Sequence, residues 1–332
     1  MMNVGLRALV VVGLLQLAAC GSSDPQLFGI YTSTLAGGDV RLVVASASQE
    51  MTHARVSPDH KSIAFTRYND SGWNALATEE RGYGETEIVV CRIDGSEIET
   101  IVPPKEGVVN SNPSWVDNGR SLMWVTTDTP GNTPQLWTID IATRRRSRVP
   151  TPEAFATTDP DRVGDTIVFP VKKTGEPDAI FVMNADGTGI RQISRPKFPA
   201  GMQPGRFTLG DYDPKLSPDA KRVAFMRLFG EEGWRIFVAD VATGEEKDMT
   251  GPGRIEGLPE WSSDGEWLLF RHIDRDKLHE MGVYVMRADG SERRMVPLPR
   301  GYLHNHPQFW PHAGSGPDAK IIYVARRHAA LP

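Results

Sequence analysis

One phrase recurs along this chain at a period of about 45 residues: an apolar residue, a Pro-Asp or Asp-Gly turn, an apolar strand, a second strand and a Gly-containing turn. The clearest copies are Val56-Ser-Pro-Asp-His-Lys-Ser-Ile-Ala-Phe65, Leu216-Ser-Pro-Asp-Ala-Lys-Arg-Val-Ala-Phe225 and Trp261-Ser-Ser-Asp-Gly-Glu-Trp-Leu-Leu-Phe270. Trp115 to Trp124 is a fourth. Proline presets φ and Ser or Asp bonds the backbone, so each copy predicts strand, tight turn, strand. A second phrase follows, as in Ile180-Phe-Val-Met-Asn-Ala-Asp-Gly187 and Val283-Tyr-Val-Met-Arg-Ala-Asp-Gly290, where β-branched and aromatic residues run into hairpin chemistry. A short fourth strand, such as Arg294-Met-Val, completes each unit.

A four-stranded unit of this size cannot bury both of its apolar faces alone. Packing the units radially satisfies them and leaves only short edges. The first-strand anchors Val56, Trp115, Pro160, Leu216, Trp261 and Phe309 number six. The expected fold is therefore all-β, a six-bladed β-propeller of four-stranded antiparallel blades over residues 26–328. The last copy stops after two strands, and residues 28–44 read as an orphan pair, so the N-terminal strands are expected to complete the last blade and close the ring.

The first twenty residues carry Arg7, an apolar run from Ala8 to Leu17, and then Ala18-Ala19-Cys20. The run is short and ends in small residues, which reads as an export signal over 1–19. Leu-Ala-Ala-Cys-Gly resembles the lipobox of bacterial lipoproteins. That resemblance implies a lipidated Cys20, a tether over 20–25, and membrane attachment through the lipid alone. The lack of Asp at position 21 favours the outer membrane, facing the periplasm. Of the two cysteines, Cys91 lies on the apolar strand Ile-Val-Val-Cys-Arg-Ile and reads as a buried, inert thiol, leaving no disulfide. With 39% hydrophobic residues the chain has the means to build a core without one. A net charge of −5 and an exported location argue against a nucleic-acid partner. The basic run Arg144-Arg145-Arg146-Ser-Arg148 reads as a solvated sheet edge.

Pro259-Glu-Trp-Ser-Ser-Asp-Gly265 and the Ser-Pro-Asp triplets at 57–59 and 217–219 resemble the WD40-like repeats of the TolB propeller family. The match covers roughly residues 26 to 328, with five of six copies recognisable. TolB carries an α/β domain ahead of its propeller, whereas here the blades begin within about ten residues of Cys20. The resemblance thus implies a TolB-like propeller rather than TolB. Such propellers serve as scaffolds, gating domains and lyases, so function has to be read from the rim.

The end of the ring where innermost strands begin also takes the longest irregular segments, 68–86, 194–212 and 272–282, and long loops are disproportionately functional. The first contains Trp73 and Tyr83 among glycines, a composition suited to sugar or peptide contact. Aligning the copies on their anchors places His53, Asn112, Thr157, Asp213, Leu258 and His306 at equivalent mouth positions. Two residues earlier stand Met51, Asn110, Phe155, Asp211, Glu256 and His304. His53, His304 and His306 come from blades that neighbour each other once the ring closes, so they form a candidate site for a divalent metal. Asp211, Asp213 or Glu256 would supply a carboxylate ligand or base.

His304-Asn-His306-Pro-Gln-Phe309 resembles the His-Pro-His-Pro segment of oligogalacturonate lyases, which implies histidine-held metal and elimination across a uronate. Here Gly301 stands where those lyases place a Gln, and Leu258 or Asp213 where they place an earlier-blade His. No Gly-x-Ser-x-Gly, His-Glu-x-x-His or Cys-x-x-Cys motif occurs, so no catalytic residue is assigned from a local motif. Asp159-Pro-Asp161-Arg-Val-Gly164-Asp165 departs from a calcium loop at Val163 and Pro170 and reads as a turn. Two readings follow. One is a lipid-anchored envelope scaffold that binds a protein, peptide or glycan without a cofactor. The alternative is a metal-dependent polysaccharide lyase.

Overall fold

A computed structural model describes residues 28–68, 85–172, 176–198, 201, 209–274 and 281–327. The export signal, Cys20, Trp73 and Tyr83 lie outside the described residues. The chain starts with β1 (Phe28–Thr34) and β2 (Arg41–Ser46). Blade 1 follows as β3 (Met51–Val56), β4 (Ser62–Tyr68), β5 (Thr86–Arg92) and β6 (Glu99–Val102). Blade 2 is β7 (Asn110–Val116), β8 (Ser121–Thr126), β9 (Gln135–Asp140) and β10 (Arg146–Arg148). Blade 3 has its innermost strand split into β11 (Ala156–Thr157) and β12 (Asp161–Val163), then β13 (Thr166–Lys172), β14 (Ala179–Asn184) and β15 (Arg191–Gln192).

Blade 4 is β16 (Gly210–Leu216), β17 (Arg222–Leu228), β18 (Trp234–Asp240) and β19 (Glu246–Asp248). Blade 5 is β20 (Ile255–Trp261), β21 (Trp267–Ile273), β22 (Gly282–Arg287) and β23 (Arg294–Met295). Blade 6 joins β24 (Tyr302–Phe309) and β25 (Lys320–Arg327) to β1 and β2, in the order β2-β1-β25-β24. The six-bladed ring and its closure by N-terminal strands are as the repeat predicts. Strand β1 pairs with β25 from Phe28↔Arg326 to Thr34↔Lys320, so the two ends of the described chain are held in one ladder.

The hairpin chemistry is the same in three blades. Ser57, Ser217 and Ser262 each donate Oγ–H to the Asp two residues on, Asp59, Asp219 and Asp264, at 2.5–2.6 Å. Each hydroxyl also accepts the backbone N–H of Ser62, Arg222 or Trp267, so one side chain closes the turn from both directions.

The core is a set of seams between adjacent blades rather than one central mass. Neighbouring residues on a second strand serve opposite seams: Ala224 packs toward blade 5 with Leu268 and Phe270, while Val223 and Phe225 pack toward blade 3 with Val168 and Ile180. This two-sided burial explains why these strands read as continuous apolar runs rather than alternating ones. Phe65, Phe169, Phe225 and Phe270 occupy the middle of the second strands of blades 1, 3, 4 and 5 and are fully buried. Cys91 lies in the seam between blades 6 and 1, where burial pushes its thiol up to about 12, in keeping with an inert role.

Candidate functional site

Every innermost strand breaks register at the same place. In blade 1 the break falls between Thr52 and Arg55, and it recurs at Ser111/Ser114, Tyr212/Lys215, Gly257/Glu260 and Asn305/Gln308; in blade 3 it is the gap between β11 and β12. One extra residue is inserted each time, a β-bulge, and at its centre stands a non-glycine residue in the left-handed region: His53 (φ 53°), Asn112 (55°), Asp159 (42°), Asp213 (48°), Leu258 (55°) and His306 (46°). In five of the six, the next residue is proline, Pro113, Pro160, Pro214, Pro259 or Pro307, which has no N–H to leave unpaired in the bulge.

This ring corrects one sequence expectation. The blade 3 member is Asp159, not Thr157, which lies two residues earlier and is fully buried. The anchor alignment slipped because the position held by Trp115, Leu216, Trp261 and Phe309 is Arg162 in blade 3. The X-Pro dipeptide, rather than the apolar anchor, marks the register.

The bulge residues and those two positions on converge on the axis. Arg55 Nη1 donates to Glu260 Oε2 at 2.7 Å, from blade 1 to blade 5 past the intervening blade 6. The His53 and His306 rings lie 4.1 Å apart. Asn112 Nδ2 donates to Asp159 Oδ1. Ligand atoms of His53, Asp159 and Asp213, from blades 1, 3 and 4, all fall within 4.8 Å of one another. Lys215 stands among them and acts on both histidines, both aspartates and Glu260. Asp161 is fixed by accepting the Leu216 N–H at 2.8 Å.

Burial and charge set the protonation of this cluster. Desolvation, then the charge of Asp159, pushes the Asp213 carboxyl up to about 7, with Lys215 and Arg55 opposing. Desolvation raises Asp159 and Glu260 as well. His306 is pushed down to about 3 by desolvation and then by the Arg271, Arg55 and Lys215 charges, and His53 is held well below the usual imidazole range by burial and by His306. Both imidazoles are therefore neutral bases at pH 7, with lone pairs available.

The remaining sequence candidates divide. His304 does not join His53 and His306. Its ring packs edge-on to Tyr323 at 5.4 Å, and burial lowers it to about 4. Asp211 is committed to Arg227 through two hydrogen bonds of 2.6 and 2.9 Å, and Glu256 to Arg293. Both carboxylates are fully buried structural partners. The residues that sequence reasoning passed over are Arg55, Asp159, Lys215 and Glu260 in the channel, and Arg271 beside it. A polar residue two positions after the bulge was the available signal for Arg55, Lys215 and Glu260, and the Asp159-Pro160 dipeptide for Asp159.

Arg271 is 5% exposed and lies between blades 5 and 6. Its hydrogen-bond partner is the neutral Asn305 Oδ1 at 3.3 Å, and among the described residues no carboxylate forms an ion pair with it. Desolvation and the nearby Arg326 charge pull its guanidinium down to about 10. Other arginines are neutralised: Arg67 of blade 1 by Glu87 at 2.7 Å, Arg227 of blade 4 by Asp211 and Glu246, and Arg293 of blade 5 itself by Glu256.

The class this architecture defines is the closed six-bladed propeller with a charged axial channel. Among solved structures the chain is similar to a protein assigned as TolB in Agrobacterium tumefaciens, with TM-score 0.64 at 13% identity, covering 92% of this chain and 99% of that one. It is similar also to TolB from Acinetobacter baumannii, with TM-score 0.58 at 16% identity, covering 81% of this chain and 62% of that one, so this chain spans less than two thirds of that protein's length. An oligogalacturonate lyase in complex with manganese matches with TM-score 0.50 at 12% identity, covering 88% of this chain and 80% of that one. At these identities the likeness defines the fold. No protein-family model matches the sequence, and no curated protein matches it.

Proposed function

We propose that this chain is a lipid-anchored propeller of the bacterial envelope that binds a protein, peptide or glycan at the bulge end of its channel and does not transform it. The observation that carries this reading is Arg271. A buried cation is costly when no counter-ion meets it; among the described residues Arg271 has none, whereas Arg67, Arg227 and Arg293 each have a carboxylate partner. A ligand carboxylate, from an acidic side chain, a chain terminus or a sugar acid, would complete the pair through the guanidinium fork. The TolB-like fold and the lipobox-like sequence ending in Cys20 support the envelope location.

The alternative, a metal-dependent polysaccharide lyase, draws support from the lyase-like fold and from the neutral imidazoles of His53 and His306. It is weakened by His304, which packs on Tyr323 instead of joining them.

The two readings separate in one set of measurements on the full chain in mild detergent. Incubated with polyuronides, it should release no unsaturated ends. A photo-reactive residue at Asn305 should yield a discrete adduct in cells that is lost in Arg271→Gln. Polyuronide cleavage by the wild-type chain would overturn the binding reading, and an adduct that survives Arg271→Gln would remove Arg271 as its anchor.

A further inference from the structure

We propose that the channel binds one divalent first-row metal ion between His53, Asp159 and Asp213, a site that keeps His53 and Asp213 of the set expected from sequence and replaces His304 and His306 by Asp159. The three ligand atoms lie within 4.8 Å of one another although their residues come from three blades. Ligand atoms around a single ion at bond lengths of roughly 2.0–2.2 Å are separated by distances of this order.

Each ligand is already held in place. His53 Nδ1 lies 2.9 Å from Thr52 Oγ1, and with the proton on Nδ1 the Nε2 lone pair is free to ligate. Asn112 Nδ2 donates to one Asp159 oxygen and the Thr158 side chain also hydrogen-bonds this carboxylate, whose about four lone-pair sites still allow it to ligate an ion. Asp213 makes no hydrogen bond to another described residue, and the forces on it are electrostatic ones from Asp159, Lys215 and Arg55. All three residues occupy left-handed bulge positions, so their backbones are set by the ring rather than by a loop.

Charge balance supplies an independent argument. Among the described residues the lining carries four carboxylates, Asp159, Asp161, Asp213 and Glu260, against two cations, Arg55 and Lys215. Two negative charges are left unmatched when all are ionised, which is the charge of one divalent ion. In the absence of an ion, Asp159 and Asp213 sit too close to share the space as two free carboxylates. One imidazole with two carboxylates suits manganese or zinc better than calcium, which prefers an all-oxygen shell.

The test uses the full chain in mild detergent, stripped with chelator and titrated with Mn2+ and separately with Zn2+, read by calorimetry and by elemental analysis after desalting. We expect one equivalent bound and a raised melting temperature. Asp159→Asn and Asp213→Asn should each weaken binding tenfold or more, and the double variant should abolish it. His304→Ala should bind as the wild type does. Asparagine tolerates the left-handed conformation and its introduction removes charge repulsion, so neither single variant should melt below the wild type in chelator. A readout independent of any variant is the electron spin-echo spectrum of the Mn2+-loaded wild type, expected to show one coupled imidazole nitrogen. No stoichiometric uptake, undiminished binding in the double variant, loss of binding in His304→Ala, or two coupled imidazoles would each overturn the proposal.

Discussion

The seams between blades and the lining of the channel are built from adjacent strands of the same repeat, yet they follow opposite rules. In the seams, Phe65, Phe169, Phe225 and Phe270 repeat the same chemistry from blade to blade and are fully buried. On the axis the equivalent position takes four different residue types over six blades: histidine, asparagine, aspartate, aspartate, leucine, histidine. A seam must satisfy its two neighbours and is solved once, then copied. The lining has no neighbour to satisfy except the other five strands and whatever enters, so the blades contribute a mixture of groups to one shared site. Stability should therefore reside in the seams, and the lining should tolerate change with little loss.

The largest test of that contrast is Phe225→Ala. The ring stacks on Phe237 with centroids 5.9 Å apart in the seam between blades 3 and 4, and its loss should lower stability by about 4 kcal/mol in denaturant unfolding. Next comes Asp211→Ala, which strands Arg227 beneath Phe237 with only Glu246 left; we expect a loss of about 3 kcal/mol by the same measurement. If either variant unfolded no more easily than the wild type, the seams would not be where the stability lies.

Glu50 sharpens the comparison at a seam edge. Burial pushes its carboxyl from 4.5 to about 7 against the opposing pull of Arg326, and Oε2 has no hydrogen-bond partner. The folded state holds that proton where the unfolded chain has released it. Stability should thus fall as pH rises from about 4.5 through about 7 and level off above. Glu50→Gln should flatten this slope and gain roughly 1 kcal/mol at pH 8, as followed by thermal melts across pH. A lining variant, Asp213→Asn in chelator, should change stability by a few tenths of a kcal/mol at most, on the scale of an ordinary surface substitution. A loss comparable to that of Phe225→Ala would erase the distinction. Smallest of all, Cys20→Ser should leave the melting curve unchanged and move the protein from the membrane to the soluble envelope fraction. Retention on the membrane would remove the lipid anchor from the proposal.

What could be read from sequence follows the same division. The hairpins were legible because their information is local: Ser57-Pro-Asp59 and Ser217-Pro-Asp219 specify a turn whatever surrounds them. Ring closure was legible because residues 28–44 had strand character and no partner. The channel was only half legible. Its bulge positions could be aligned where an apolar anchor stood, and failed where Arg162 replaced it. His304 and His306 look alike two residues apart, but the inserted bulge residue between the strand's two halves turns one onto Tyr323 and the other toward His53. Arg271 was invisible, because nothing in Phe270-Arg271-His272 tells which seam an arginine enters or what fails to meet it there.

The ladder that closes the ring also sets an orientation. Phe28 pairs with Arg326, and Arg326 pairs with Leu303 at the start of β24, so β1 begins at the same end of the ring as the bulges. Phe28 lies eight residue steps beyond Cys20, a reach of at most about 28 Å when fully extended. With Cys20 lipidated as proposed, the bulge end is leashed close to the bilayer and cannot range freely into the compartment. Whatever reaches Arg271 and the channel would have to do so from within a shallow layer beside the membrane, which favours a ligand that is itself membrane-bound over one that diffuses.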